Sequence, residues 1–303
     1  MSRAALDLNL VQSALSQQIT RLEGELATRL LHRSPQGVTP TEAGLAFYRE
    51  AQLALRHADQ AVRSAQQARL SGSVTAGLAP TTSAVLGLPL MLAMRARYPD
   101  VRLHMVESMS GHLGDMLNAR QLDLAVLFDS RRYLQDRSAD KRRWQVQALL
   151  EEDLYLIRAR RTAPSSLRNP LPQTLRMTAL KNEALIFPTG SHGLRSTLDA
   201  AFARAKLVPQ VVMEVDSLSM LMAAVDAGMG ATVQPWAALG RHPDAGQRFE
   251  IARITDKQVQ RVNLLCSLSE DELSPAALAA RVVLKDCVKS LIQTQAWTGA
   301  RLQ

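Results

Sequence analysis

The chain has 303 residues, 47% of them apolar, a formal net charge of +8 and a pI near 10.0. That length suits two domains, and the basic balance favours an anionic partner, nucleic acid above all. It excludes a membrane-spanning class, because the most apolar run, 84–94, falls well short of the about 20 residues a span needs. The excess charge is spread out: the first 70 residues hold 8 Arg and no Lys against 6 acidic residues. No charged-then-apolar leader opens the chain. Two cysteines, Cys266 and Cys287, lack metal-ligand spacing and suit a reducing cytoplasm, where they read as buried apolar thiols.

The first strongly patterned stretch begins at Gln12. Leu15, Ile19, Leu22 and Leu26 recur at spacings of four, three and four, one face of a helix. Ser13, Ser16, Gln17 and Thr20 fall on roughly the opposite face, flanked by Gln12 and Arg21. Uncharged hydroxyl and amide groups suit hydrogen bonding to base edges and phosphates. Periodicity alone favours an ordinary amphipathic surface helix over a recognition helix. After Leu30, the turn signal Pro35 and Gly37 lies between two short extended pieces, where Arg33 and Gln36 can reach backbone phosphates. Thr39, Pro40 and Glu42 read as cap, first helical residue and capping-box partner of a helix reaching about Arg69. On it Tyr48, Ala51, Leu55, Ala58, Val62 and Ala65 alternate spacings of three and four, a heptad seam that needs a partner helix.

Ser71-Gly72-Ser73 marks a composition boundary. Beyond it strands and helices alternate: strands at 74–78, 101–106, 123–128, 153–157, 184–187, 210–215 and 231–234, helices at 82–97, 111–120, 194–205, 217–227 and 274–294. This rhythm predicts an α/β domain with a mostly parallel sheet. A basic cluster, Arg131, Arg132, Arg137, Lys141, Arg142 and Arg143, reads as a solvated loop. No catalytic constellation, metal spacing or phosphate loop emerges, so no cofactor is expected and an enzyme is disfavoured.

A longer pattern joins these pieces: Ala4-Ala5, Leu8, Gln12, Ala14-Leu15-Ser16, Ile19, Leu22-Glu23, Leu26, Leu30, Arg33, Gly37 and Thr41-Glu42-Ala43-Gly44. Together with Ala79-Pro80, Glu152-Asp153-Leu154-Tyr155-Leu156 and Gly228-Met229-Gly230-Ala231-Thr232-Val233, it resembles the LysR-type transcriptional regulators, and within them the nitrogen assimilation control branch. The resemblance implies a winged helix-turn-helix over 1–39, a dimerising linker helix over 40–70, and a two-lobed effector domain of the periplasmic-binding-protein type over 71–303. Lobe I would take 71–149 and 265–303, lobe II 150–264. It implies a homotetramer, promoter DNA as partner, and room for RNA polymerase. Two departures stand out. The family's module begins with a helix before the Ala-Ala pair, whereas three residues precede Ala4 here, which predicts exposed Leu6, Leu8 and Leu10, a partly uncovered Leu15 and Ile19, and a weak DNA domain that upstream codons would repair. Val11 stands where most members carry a capping hydroxyl.

Ligands of open α/β sheets lie beyond strand carboxyl ends, near helix N-termini. That places Thr81, Thr82 and Ser83 on one wall of an effector cleft and Thr189, Gly190 and Ser191 on the other, with Phe128, Asp129 (near the hinge), Ser217 and Gln234 at further strand ends and helix starts, for a small polar or anionic ligand. Each is more often a cap or turn, and Asp129 opposes an anion. The reading is a sequence-specific regulator; the alternative is a cytoplasmic small-molecule-binding protein with an impaired DNA module.

Overall fold

The computed structural model describes the chain apart from residues 1, 8–9, 35–36, 67–69, 129–143, 161–169, 191–192 and 258, and leaves out the side chains of 2–3, 7 and 59–66. It divides into two compact units, Met1–Val62 and Arg63–Gln303.

In the first unit, a short helix α1 (Ser2–Asp7) precedes α2 (Gln12–Glu25). A hairpin follows, β1 (Leu31–Ser34) against β2 (Gly37–Pro40), registered Leu31↔Pro40 to Ser34↔Gly37. Helix α3 (Glu42–Gln66) ends the unit. Its cap is not Thr39. The hairpin takes Thr39 and Pro40 as ladder partners of His32 and Leu31, so the cap moves to Thr41. The Thr41 hydroxyl accepts from Gly44 N at 2.9 Å and donates to the Arg29 carbonyl at 2.8 Å, satisfying an otherwise orphaned helix donor. Gly44 has a steric reason too, since a Cβ there would overlap the Leu30 carbonyl. Val11, at the cap of α2, makes no side-chain bond, as expected of valine.

The second unit opens with β3 (Gly72–Leu78), α4 (Pro80–Arg97), β4 (Val101–Glu107), α5 (Ser110–Asn118) and β5 (Leu124–Phe128). The 16-residue β6 (Trp144–Ala159) follows, then β7 (Thr174–Leu175), β8 (Ala184–Phe187), α6 (Gly193–Arg204), β9 (Gln210–Glu214), α7 (Leu218–Asp226) and β10 (Thr232–Pro235). A short helix α8 (Ala245–Arg248), β11 (Phe249–Ile254), β12 (Gln260–Leu268), the long α9 (Pro275–Gln293) and β13 (Ala300–Leu302) complete it.

The sheet is mixed rather than mostly parallel. Strands β3, β4 and β5 pair in parallel, as do β8 and β9, but β6 pairs antiparallel with β10, β11, β12 and β13. The reason is the two-lobed plan: the chain leaves one lobe along β6 and returns along β12, so the crossing strands run in opposite directions. The lobe boundary is visible in the register. Residues 144–153 of β6 pair with β12, and residues 154–159 pair with β10 and β11. A bulge at Asn263/Leu264 lies a few residues inside that boundary, opposite Leu150 and Ala148 of β6. Lobe II packs a buried core of Leu154, Leu156, Leu185, Phe187, Leu198, Phe202 and Val233. Among the described residues no helix is long and apolar enough to cross a membrane. The basic cluster at 131–143 lies outside them.

Candidate functional site

Two regions carry polar chemistry in an arrangement that can hold a partner. The first is the exposed face of α2 with the wing beside it. Gln12, Ser13, Gln17 and Thr20 are exposed and Ser16 is half-buried, while Leu15, Ile19 and Leu22 turn toward the unit's interior. Arg33, from the hairpin, reaches across to this face. Its Nη1 donates to Ser16 Oγ at 3.0 Å and its Nη2 to Thr20 Oγ1 at 2.9 Å. Thr20 in turn donates to the Ser16 carbonyl. Arg21 is exposed and paired with Glu25 at 2.9 Å. Gln36 lies outside the described residues.

Glu23 is the hidden support of this arrangement. It is buried on α2, and its Oε1 accepts from the backbone N–H of Leu30 and Leu31 at 2.8 and 3.0 Å, fixing the approach to the hairpin. Those two N–H donors hold its carboxyl below the usual range. Arg33 lies 3.7 Å from its other oxygen. Leu6, Leu10 and Val11 are exposed, and Ala5 is buried; Leu8 lies outside the described residues. On α3, Tyr48 and Leu55 are exposed at 59% and 68%, so the seam is not consumed by packing within its own unit. The side chains of Val62 and Ala65 are not described.

The second region is a slot between the lobes of the second unit. It encloses about 350 Å3 of empty space, its open mouth included. Of the expected residues it unites Thr81, Phe128 and Gln234. The others have different duties. Thr82 is fully buried and bonds the Asn263 side chain at 3.2 Å. Ser83 is half-buried within the first turns of α4. Thr189 donates its N–H and its hydroxyl to Asp216 Oδ1, both at 2.9 Å. Ser217 caps α7 by accepting from Met220 N, and Gly190 is exposed. Asp129 and Ser191 lie outside the described residues.

What sequence reasoning missed is the floor of the slot. Arg261 on β12 is 2% exposed and lies with its guanidinium 4.0 Å from the centre of the Phe128 ring. Its Nη2 donates to Thr81 Oγ1 at 2.9 Å, and Nε and Nη2 both donate to Glu152 Oε2 on β6. Asn263 donates to the same oxygen, and Trp297 Nε1 donates to Glu152 Oε1 at 2.8 Å. One step along β6, Asp153 accepts from Arg301 and lies 3.4 Å from Arg253. Burial alone would raise the Asp153 carboxyl, but the Arg301 bonds and the Arg253 charge outweigh it and hold it below its usual value. The signal available in the sequence was a strand whose inward positions, Arg261 and Asn263, interrupt an apolar run. Cys266 is buried in that strand, and Cys287 is only half-buried, donating to the Pro89 carbonyl.

A winged helix-turn-helix and a two-lobed α/β domain in one chain define a DNA-binding regulator with an effector-binding domain. The chain belongs to the LysR family: the bacterial regulatory helix-turn-helix of that family matches residues 1–45, and the LysR substrate binding domain matches residues 67–287. It is 35% identical over 291 residues to the nitrogen assimilation regulatory protein nac of Klebsiella aerogenes, covering 95% of this chain and 90% of that protein. The Escherichia coli nac protein is 33% identical, with 98% and 93% covered. Among solved structures, a full-length OxyR variant from Pseudomonas aeruginosa superposes with a TM-score of 0.69 at 22% identity, covering 95% of this chain and 89% of that one. Full-length CbnR in complex with its target DNA gives 0.58 at 19%, with 95% and 93% covered. The chain is thus a DNA-binding transcriptional regulator with an effector-binding domain, and not an enzyme.

Proposed function

We propose that this regulator reads its promoter through Gln12, Ser13, Ser16, Gln17 and Thr20 of α2, with Arg21, Arg33 and Gln36 on the phosphate backbone. The observation that carries this is the bridge from Arg33 to Ser16 and Thr20. It sets a cation from the wing beside the uncharged face of the helix, with all three groups open to solvent or nearly so. Bases then meet hydroxyls and amides, while phosphate meets the guanidinium. The seam of exposed Tyr48, Leu55 and Ala58 with half-buried Ala51, continued by Val62 and Ala65 in sequence, joins two such modules into a dimer that spans two half-sites. Pairing of effector domains makes the tetramer, contact with RNA polymerase follows from promoter occupancy, and the protein works in the cytoplasm. The interlobe slot takes a small polar effector that biases promoter binding.

The test is a gel-shift series. Gln17→Ala loses affinity for the cognate site, each base contact being worth about 1–3 kcal/mol, and keeps its affinity for random DNA. Equal loss on both would remove Gln17 from base reading. Leu55→Lys puts a charge into the seam, and sedimentation should show the linker dimer gone.

A further inference from the structure

Helix α2 carries a glycine that nothing inside its own chain calls for. Gly24 is exposed, in the last turn of the helix. The left-handed residue that ends the helix is Ala27, at φ 47°, so the turn does not require glycine at position 24. A Cβ on Gly24 would meet nothing within 4 Å, so close packing does not require it either. Glycine weakens a helix relative to alanine, and its usual compensation is the close approach of a backbone or ligand. Gly24 floors a groove lined also by Thr20, Thr28, Arg29 and Arg33. It follows Ser16 and Thr20 at intervals of four, on the ridge that Arg33 bridges.

We propose that this groove seats the sugar-phosphate backbone of DNA, and that Arg29 is a phosphate contact in addition to Arg33. The inference rests on α2 being the helix that reads the promoter. From Gln17 to Gly24 the helix rises about 10 Å, at about 1.5 Å per residue. That is close to the roughly 12 Å width of the major groove. With Gln17 at the base edges, Gly24 comes to the rim of that groove, where the DNA backbone runs. A side chain at position 24 would hold the backbone off; glycine lets it approach. Arg29 is ready for it. Its side chain is exposed and makes no hydrogen bond or ion pair among the described residues, unlike Arg21, which is paired with Glu25. The main chain around Arg29 is fixed on both sides. Its carbonyl accepts from Thr41 Oγ1 at 2.8 Å, and the N–H of Leu30 donates to Glu23 Oε1 at 2.8 Å. Glu23 is the one carboxylate in the described lining, and it is buried with Oε1 turned to two backbone N–H groups. Two guanidinium groups outweigh it, so the groove is net positive and suits a phosphate.

The experiment measures the affinity of the full chain for a labelled DNA duplex of arbitrary sequence over a range of salt. Gly24→Gln fills the groove where the chain itself leaves room, and glutamine favours the helix over glycine. Its melting temperature should not fall, while its affinity should drop about fivefold or more at physiological salt, the loss of one phosphate contact. Arg29→Gln should flatten the slope of log K against log salt by about 0.9, and Arg29→Lys should restore it. If Gly24→Gln melts and binds like the parent, no backbone enters the groove and the inference is overturned. An unchanged slope in Arg29→Gln removes Arg29 from the phosphates and overturns it equally, whatever Gly24→Gln does. Gln17→Ala on the promoter separates this failure from that of the wider reading. If Gln17→Ala loses the promoter while neither groove variant weakens DNA, α2 reads DNA and the groove alone is wrong. If Gln17→Ala also binds like the parent, α2 does not face DNA and the inference falls with that reading.

Discussion

Arg33 in the DNA-binding unit and Arg261 in the effector domain are built from the same parts. Each donates to a threonine hydroxyl at 2.9 Å and each faces a glutamate. Arg33 keeps 37% of its side chain in water, and Arg261 keeps 2%. The contrast assigns their roles. An exposed guanidinium has modest pairing energy, so Arg33 can exchange Ser16 and Thr20 for a phosphate with little loss. A buried one is bound to its partners, because removing either leaves a dehydrated charge unmet. The wing arginine is therefore an exchangeable contact. The slot arginine is part of the hinge.

The largest way to break this comparison is Glu152→Ala. It strands the Arg261 charge between the two crossing strands and should destabilise the effector domain by roughly 3–5 kcal/mol, on the order of 10 °C in Tm. Arg33→Ala should move stability by under about 0.5 kcal/mol. Tryptophan fluorescence reads the difference selectively, because Trp144, Trp236 and Trp297 all lie beyond residue 62. If Glu152→Ala melts like the parent, the hinge network is ornamental and the contrast collapses.

The two regions also differ in how legible they were. The face of α2 is local: Leu15, Ile19, Ser16 and Thr20 sit within two turns, so period alone places them. The heptad on α3 is legible for the same reason. The hinge is not local. Glu152 meets Arg261 across 109 residues and Trp297 across 145, and no spacing in one sequence encodes such a pairing. Strands β11, β12 and β13 escaped notice because charged residues such as Arg253, Arg261 and Arg301 blur the alternation that marks a strand. The slot was half legible. Strand ends and helix starts pointed to Thr81, Phe128 and Gln234, but the same rule also selected Thr82 and Ser217, which serve the fold.

Thr82 sharpens that division. Its hydroxyl donates to Asn263 Oδ1, and both residues are fully buried. Thr82→Val keeps the shape and leaves the Asn263 oxygen unmet, a loss of about 1–3 kcal/mol. Urea unfolding should show that loss, while the response to any effector stays near that of the parent. An effector response that vanishes with stability unchanged would return Thr82 to the ligand site.

In the DNA-binding unit the matching change is smaller and lies in the salt dependence. If Arg33 exchanges its hydroxyl partners for one phosphate, Arg33→Ala should weaken cognate and random DNA alike. The slope of log K against log salt should flatten by about 0.9. A loss confined to the cognate site would make Arg33 a base reader instead.

Acid gives the smallest effect and compares the two units directly. Glu23 and Asp153 both have carboxyls held below their ordinary values, the first by two backbone N–H donors, the second by Arg301 and Arg253 against the opposing pull of burial. A carboxyl with a depressed folded-state pKa adds stability above its unfolded pKa, and that stability disappears as pH falls through the folded value. Both units should therefore weaken below about pH 4, where free carboxyls begin to protonate. The causes predict different cures. Asp153→Asn removes the titrating group beside Arg301 and should flatten the acid limb of tryptophan fluorescence unfolding, at reduced stability near neutrality. Glu23→Gln keeps one oxygen for the Leu30 and Leu31 N–H groups and should flatten only the acid loss of DNA binding. If Glu23→Gln alters the tryptophan transition, or Asp153→Asn alters DNA binding at constant assembly, the two units do not titrate independently.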